Sequence, residues 1–371
     1  MDVSVLSNHG QQPGDGDGGV HYQFHSGFDC LFAMPEDHSA RHYSAIVEIV
    51  AKLRTLMAFP FKWRKAAPIL ALVLTGGAVS LFTLSSRLPA QQELQQQQEK
   101  QATEEAPEPA PYEARKLCDL QDPRINESSG IGASRRYSGL FWTHNDSGDG
   151  ARLFLINREG KTITTVHLKG ANSVDWEDMA VAGDKEKSWV YVGDIGDNLE
   201  ARDFISIYRF REPEVNLNNP PEQLTIEPER MNLLYPDKSH NAETLMADLT
   251  GRLLIVTKSL DETWVFQTPE SFKPGGKQKL EKLGKITLPE GFRRAQTTGG
   301  DISHDGKRLV VMTYAQMHEW HFASWLKDGG AQWRQMIEQK PRTWELPRAK
   351  QMEAVCYGLE DKLYSTSEQL P

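Results

Sequence analysis

After residue 113 one pattern of apolar and polar positions occurs five times. An acidic residue leads a short apolar run, a turn containing Gly or charge follows, and a strongly apolar run closes in polar residues. The paired runs are 127–134 with 139–146, 176–182 with 189–198, 241–248 with 253–258, 300–306 with 308–314, and 352–358 with 362–368. Apolar runs of this length, flanked by turn residues, read as β-strands rather than helices. The leading acids, Glu127, Glu177, Glu243, Asp301 and Glu353, stand 50, 66, 58 and 52 residues apart. That spacing fits four-stranded blades with loop insertions. The pattern therefore predicts an all-β chain, a five-bladed β-propeller over 113–371. The alternative is a six-bladed ring, with a degenerate blade in the longest interval. A two-sheet sandwich explains short strands but not a recurring phrase. The fifth unit has only two strands before the sequence ends. Residues 113–125 can add an outer strand to it, which still leaves the blade one strand short.

The pattern before the repeat is different. Residues 1–56 have no sustained period and read as a disordered extension. Residues 57–90 hold a basic start (Lys62, Arg64, Lys65), an uncharged run over 66–84, and Leu88-Pro89-Ala90 as an imperfect cleavage site. Two readings stay open. Met57 begins a cleaved export signal and 1–56 is not translated, or 66–84 is an uncleaved single transmembrane anchor, long enough for a ~30 Å hydrocarbon core. The positive-inside rule exports the body in both cases. Its expected location is extracytoplasmic: secreted, periplasmic or membrane-anchored. Residues 91–112, rich in Gln, Glu and Pro, form a solvated linker that buries nothing.

Composition narrows the function classes. The 371 residues carry a net charge of −9, which disfavours nucleic acid as a partner. Three cysteines, Cys30, Cys118 and Cys356, cannot build a disulfide scaffold. Cys118 and Cys356 either close the ring with one bridge or are two separate buried thiols.

Blade geometry concentrates the chemistry. The start of a blade's first strand and the end of its antiparallel second strand lie at the same end of the channel. One mouth therefore collects Glu127, Glu177, Glu243, Asp301 and Glu353, ringed by His144, Asn145, Asp146, Asp194, Asp197, Asn198, Lys258, Tyr314 and Glu368. Crowded carboxylates need protons, basic partners or a cation. Oxygen donors without Cys point to Ca²⁺ before Zn²⁺. In the competing reading, each acid accepts backbone N–H groups from the next blade. His144, Glu177 and Asp194 are the candidate proton acceptors for hydrolysis. Asn145, Asp197, Asn198, Lys258 and Tyr314 are the candidate substrate contacts.

The phrases around Trp176-Glu177-Asp-Met-Ala-Val, Glu243-Thr-Leu-Met-Ala and Met352-Glu353-Ala-Val resemble the calcium-dependent nucleotidase (apyrase) family. The chain is also similar to secreted propellers grouped as esterase-like phytases and lactonases. The resemblance implies a central Ca²⁺ with Glu127, Glu177, Glu243 and Glu353 as ligands or near neighbours, and hydrolysis of phosphoesters or esters. The chain departs from the nucleotidase pattern in lacking a basic cluster for phosphates, only Lys258 being suitably placed. Two other expectations stand beside the metal-dependent hydrolase. One is a non-catalytic propeller that binds a small molecule or protein at its mouth. The other is an envelope scaffold that needs no mouth chemistry.

Overall fold

The computed structural model describes residues 2–8 and 112–368, apart from 270, 323–332, 335–336 and 348–350. They fall in one compact unit, Met1–Gln11 with Pro109–Pro371. The unit is all-β apart from short helical turns such as α1 (Phe292–Ala295), and its sheets stand in a β-propeller arrangement. The apolar run over 66–84 lies outside the described residues, as do residues 91–111 of the linker, while Tyr112 begins a strand. No helix among the described residues is long and apolar enough to cross a membrane.

Four sheets are built mainly from consecutive strands. The first runs β3 (Ser128–Ala133), β4 (Leu140–Asn145), β5 (Arg152–Asn157) and β6 (Thr162–Leu168). The second runs β7 (Trp176–Ala182), β8 (Trp189–Asp194), β9 (Ile205–Arg211) and β11 (Glu229–Leu234). The third holds β12 (Ala242–Ala247), β13 (Leu253–Thr257), β14 (Thr263–Gln267) and β16 (Glu281–Ile286). The fourth holds β17 (Thr297–Ile302), β18 (Arg308–Thr313), β19 (Gln316–His321) and β20 (Arg342–Glu345). Two short strands bind backwards onto the preceding sheet. β10 (Gln223–Ile226) pairs parallel with β6, and β15 (Lys277–Lys279) pairs parallel with β11.

The fifth sheet joins distant parts of the sequence in the order β2 (Tyr112–Asp119), β1 (Asp2–Asn8), β22 (Leu363–Glu368), β21 (Gln351–Tyr357). β2 is the outer strand expected from 113–125. β1 fills the place left one strand short, antiparallel to both β22 and β2. A seven-residue alternating segment, Asp-Val-Ser-Val-Leu-Ser-Asn, supplies the backbone donors and acceptors that both flanking strands need.

Apolar clusters lie between neighbouring sheets and carry the stability. Trp142, Leu155, Val181, Val192 and Tyr208 fill the space between the first and second sheets. Tyr191, Ile207, Leu245 and Phe266 join the second to the third. Met246, Val256, Val311 and Trp320 join the third to the fourth. Met312, Val355 and Leu363 join the fourth to the fifth. Ile131, Phe141, Phe154, Cys356 and Tyr364 join the fifth to the first. Fully burying one such side chain contributes about 1.5–3 kcal/mol. Cys118 and Cys356 are both thiols, and Cys356 packs as a core residue.

The first strands, β3, β7, β12, β17 and β21, pack in that cyclic order, β21 returning to β3. Their residues are buried on both faces because each lies against strands on either side. Small residues permit this approach. A Cβ on Gly299 of β17 would lie 3.1 Å from the Cα of Ala354 in β21.

Candidate metal centre

Each first strand breaks register with its partner near its beginning. The breaks fall between Ser128 and Gly130, Trp176 and Met179, Ala242 and Thr244, Thr297 and Gly299, and Met352 and Ala354. Such bulges re-aim a side chain out of the ladder. The residues passed over are Ser129, Glu177 with Asp178, Glu243, Thr298 and Glu353. Three are the repeat acids anticipated from sequence. In the first and fourth sheets the equivalent position is Ser129 and Thr298, not Glu127 and Asp301. Two acids were thus aligned a few residues out of register, because spacing alone cannot locate a bulge.

Glu127 is exposed, and its N–H donates to Asn145 Oδ1 at 3.2 Å. Asp301 is buried deeper in β17, where Oδ1 accepts Ile302 N–H and Oδ2 accepts Tyr357 N–H of β21, at 2.8 and 2.9 Å. Asp178, beside Glu177, is fully buried. Its Oδ1 accepts Met179 N–H at 2.8 Å, and its Oδ2 accepts Leu245 N–H of β12 at 3.0 Å and Gly300 N–H of β17 at 3.3 Å. Asp178 and Asp301 therefore clamp backbone across sheets, the arrangement that competed with a cation in the sequence reading.

Burial pushes Asp301 from 3.8 up to about 6, against the pull of Arg135 and two N–H donors. A group whose pKa is higher folded than unfolded stabilises the fold below its unfolded value. Its contribution is therefore full below about pH 4 and lost as pH rises through about 6. Urea midpoints measured from pH 4 to 7 should fall in the wild type. The fall should flatten in Asp301→Asn, and equal slopes would contradict this assignment.

The carboxylates that converge are Asp146, Asp175 and Glu177, whose ligand oxygens lie within 4.8 Å of one another. Asp146 follows β4, Asp175 precedes β7, and Glu177 is the bulged residue of β7. The loop after β8 holds them together. Asp194 Oδ1 accepts Asp175 N–H at 3.0 Å and Arg202 Nη1–H at 2.9 Å. Arg202 Nη1 also donates to Gly196 O at 2.7 Å, and Gly196 N–H donates to Asp175 O at 3.1 Å. Asp197 accepts the N–H groups of Ala201 and Arg202, and so folds this loop back on itself. Gly196 then lies directly against the carboxylates. A Cβ there would be 2.3 Å from both Asp175 Oδ2 and Glu177 Oε1.

Glu177 is only 4 % exposed, and no hydrogen-bond donor among the described residues reaches its carboxylate. Burial, then the charges of Glu243, Asp146 and Asp175, push its pKa well above the carboxylate range. Burial and Asp146 raise Asp175 too. A buried carboxylate without donors and beside two others is unfavourable unless a proton or a cation joins it.

Glu243 takes a different partner. Both its oxygens contact Lys258 Nζ, which also donates to Tyr314 Oη at 2.8 Å. Burial pushes Glu243 up to about 7 against the pull of Lys258. Burial also leads in pushing Tyr314 up to about 12. Lys258 opens onto a cleft of about 370 Å³, lined also by Glu200, Lys238, His240, Asn241, Asp261 and Trp264. Glu353 accepts Gln351 Nε2–H at 2.9 Å.

The remaining anticipated residues are engaged elsewhere. His144 is 0 % exposed, with Nδ1 2.8 Å from Asn145 O and its ring edge-on to Trp176. Burial lowers its pKa, so it is a neutral packing residue rather than an accessible base. Gly130 makes room for it, since a Cβ there would lie 2.3 Å from Nε2. Asp194 is bound to Arg202 and is 1 % exposed. Asn145 Oδ1 accepts from Asn126 and Glu127, and its Nδ2 donates to Arg124 O and Asp149. Asn198 Oδ1 accepts Asn241 Nδ2–H at 3.2 Å. Of the anticipated substrate contacts, Lys258 alone lines the cleft directly. Sequence reasoning gave Asp175 no role, because Asp175 precedes β7 and Glu177 lies in its bulge, where strand alternation does not tell which side chains meet.

Compared with models of known protein families and with curated proteins, this chain matches none.

Proposed function

We propose that the chain is a five-bladed propeller whose mouth binds a divalent cation, Ca²⁺, through Asp146, Asp175 and Glu177, and that it hydrolyses an ester or phosphoester there. The observation that carries this reading is Glu177, only 4 % exposed, whose carboxylate meets two further carboxylates and no hydrogen-bond donor among the described residues. Ca²⁺ suits the group because it accepts several oxygens in loose geometry, and the three donors come from three separate segments. The absence of His and Cys from the group argues against Zn²⁺. A cation held there supplies Lewis-acid polarisation of a substrate oxygen. Glu243 and Tyr314 hold Lys258 at the cleft wall, where it is a fixed hydrogen-bond donor for the same substrate. A second reading, a non-catalytic binding mouth, draws support from His144 and Asp194, two of the three anticipated bases, which are buried and engaged with Asn145 O and Arg202.

Gly196→Ala tests the cation. The substitution keeps an ordinary backbone but forces two carboxylate oxygens to move. Isothermal titration should show Ca²⁺ bound more tightly than Mg²⁺ by the wild type, and at least about tenfold more weakly by the variant. Equal affinity in both proteins would contradict the assignment.

We place the body outside the cytoplasm, on the basic start at Lys62, Arg64 and Lys65 and the apolar run over 66–84. Pairing of β1 with β2 and β22 adds a constraint. Residues 2–8 paired in the fifth sheet must be translated and share a compartment with the body, so an inserted β1 excludes both a start at Met57 and a single membrane crossing at 66–84, and the export reading applies to a body without β1.

A further inference from the structure

We infer that the fifth sheet holds a strand-acceptor slot between β2 and β22, and that a body without β1 takes into it an extended, proline-free segment of a partner polypeptide, antiparallel to β22. The inference depends neither on the cation nor on hydrolysis. In the other four sheets the third strand follows the second in sequence: β5 follows β4, β9 follows β8, β14 follows β13 and β19 follows β18. In the fifth, the third place goes to residues 2–8, from the far side of the sequence. Among the described strands β1 pairs with β2 and β22 alone, and residues 9–111 separate it from β2. Withdrawing it therefore breaks no other ladder.

The slot keeps its shape without β1. β2 shares a ladder with β1 alone among the described strands, yet neighbouring sheets hold both its ends. At one end Tyr112 Oη donates to Glu319 Oε1 of β19 at 3.1 Å, and its ring lies edge-on to Trp344 of β20, 4.8 Å between centroids. Past the other end, Gln121 donates its N–H to Gly160 O at 2.9 Å and its Nε2–H to Glu159 O at 2.7 Å, in the turn between β5 and β6. Between these anchors Ala114 packs on the cluster joining the fourth and fifth sheets, and Leu117 and Cys118 on the cluster joining the fifth and first. β22 is held in turn by β21. Loss of β1 leaves backbone donors and acceptors unpaired along both facing edges, and residues 363–367 of β22 are buried. A strand added to an open edge is bound chiefly through its backbone, and here it pairs on both sides.

The register states what the occupant must be. Leu6 stands opposite Leu363 and Ala114, which both belong to the fourth-to-fifth cluster. Val5 stands opposite Tyr364 and Val3 opposite Cys118, which both belong to the fifth-to-first cluster. These three places call for apolar residues. A proline in the middle would remove a ladder donor. The chain's own sequence leading into β2 carries Pro107, Pro109 and Pro111, so it does not meet the requirement. A second copy of a body without β1 has no such strand to lend. The segment therefore comes from another polypeptide, and the exported body proposed above is the form that receives it.

The test keeps the full chain and empties the slot with Val5→Pro, which takes an N–H from the middle of β1. The probe is a fluorescent, end-blocked peptide of residues 2–8, read by anisotropy. It should bind the Val5→Pro chain at least about tenfold more tightly than the wild type, whose slot is filled. A peptide carrying the same Val5→Pro change should bind that chain at least about tenfold more weakly than the unchanged peptide. The variant should melt several degrees below the wild type, and the unchanged peptide should restore most of the difference. Equal binding to both chains, no binding to a folded variant, or a variant that melts like the wild type without peptide would each overturn the inference. So would a variant that dimerises in light scattering and then refuses the peptide, since a second copy would hold the slot. If Val5→Pro does not fold alone, refolding with the peptide should give a cooperative melt, and aggregation with and without it would also overturn the inference.

Discussion

Glu177→Gln is expected to abolish the rise in melting temperature that Ca²⁺ gives the wild-type protein. A ligand that binds only the folded state stabilises it by RT ln(1 + [L]/Kd), about 2.7 kcal/mol at a hundredfold excess over Kd. The wild type should therefore melt several degrees higher in Ca²⁺ than in EDTA. Glutamine keeps the size of the side chain and removes the charge that burial, Glu243, Asp146 and Asp175 already strain. The variant should consequently melt at or above the wild-type temperature in EDTA, because an uncompensated buried carboxylate is gone. That opposite sign separates loss of a ligand from loss of structure. A variant that melts lower in both conditions would mean that Glu177 supports the fold rather than a cation.

Asp178→Ala should have the largest structural effect of any acid in the ring. The side chain accepts N–H groups from Met179 in its own strand, from Leu245 in β12 and, more weakly, from Gly300 in β17. Alanine leaves these buried donors without acceptors, at about 1–3 kcal/mol each, so a loss of about 3 kcal/mol or more is expected. Burial pushes the Asp178 carboxyl well above its ordinary range, opposed by these donors. Asp178→Asn retains one acceptor oxygen and should cost less. Chemical denaturation of both variants checks this order. A loss under about 1 kcal/mol for alanine would show that water or neighbouring groups satisfy the donors instead.

The repeat was legible because a propeller writes the same burial problem into every blade. Each first strand is covered on both sides, so runs such as 242–247 are buried throughout, and each second strand returns to the same mouth. Bulges were not legible. The one-residue slips at Ser129 and Thr298 look the same in sequence as an unbroken strand, so Glu127 and Asp301 were aligned with Glu177, Glu243 and Glu353, whose bulged position they do not share. Asp175 escaped notice because it precedes its strand, and the loop after β8 is what holds it there. His144 and Asp194 carried the right chemistry, but their burial and partners depend on Trp176 and Arg202, which only the fold brings to them. The last blade's missing strand was equally hidden, since its filler, β1, lies more than 300 residues away in sequence from the strand it pairs with.

The most direct measurement is a crystal structure of the protein grown with Ca²⁺. The account predicts one ion bound by oxygens of Asp146, Asp175 and Glu177 at about 2.3–2.6 Å, with Lys258 still on Glu243. Carboxylates that instead hydrogen-bond to one another or to water in excess Ca²⁺, with no ion among them, would contradict it.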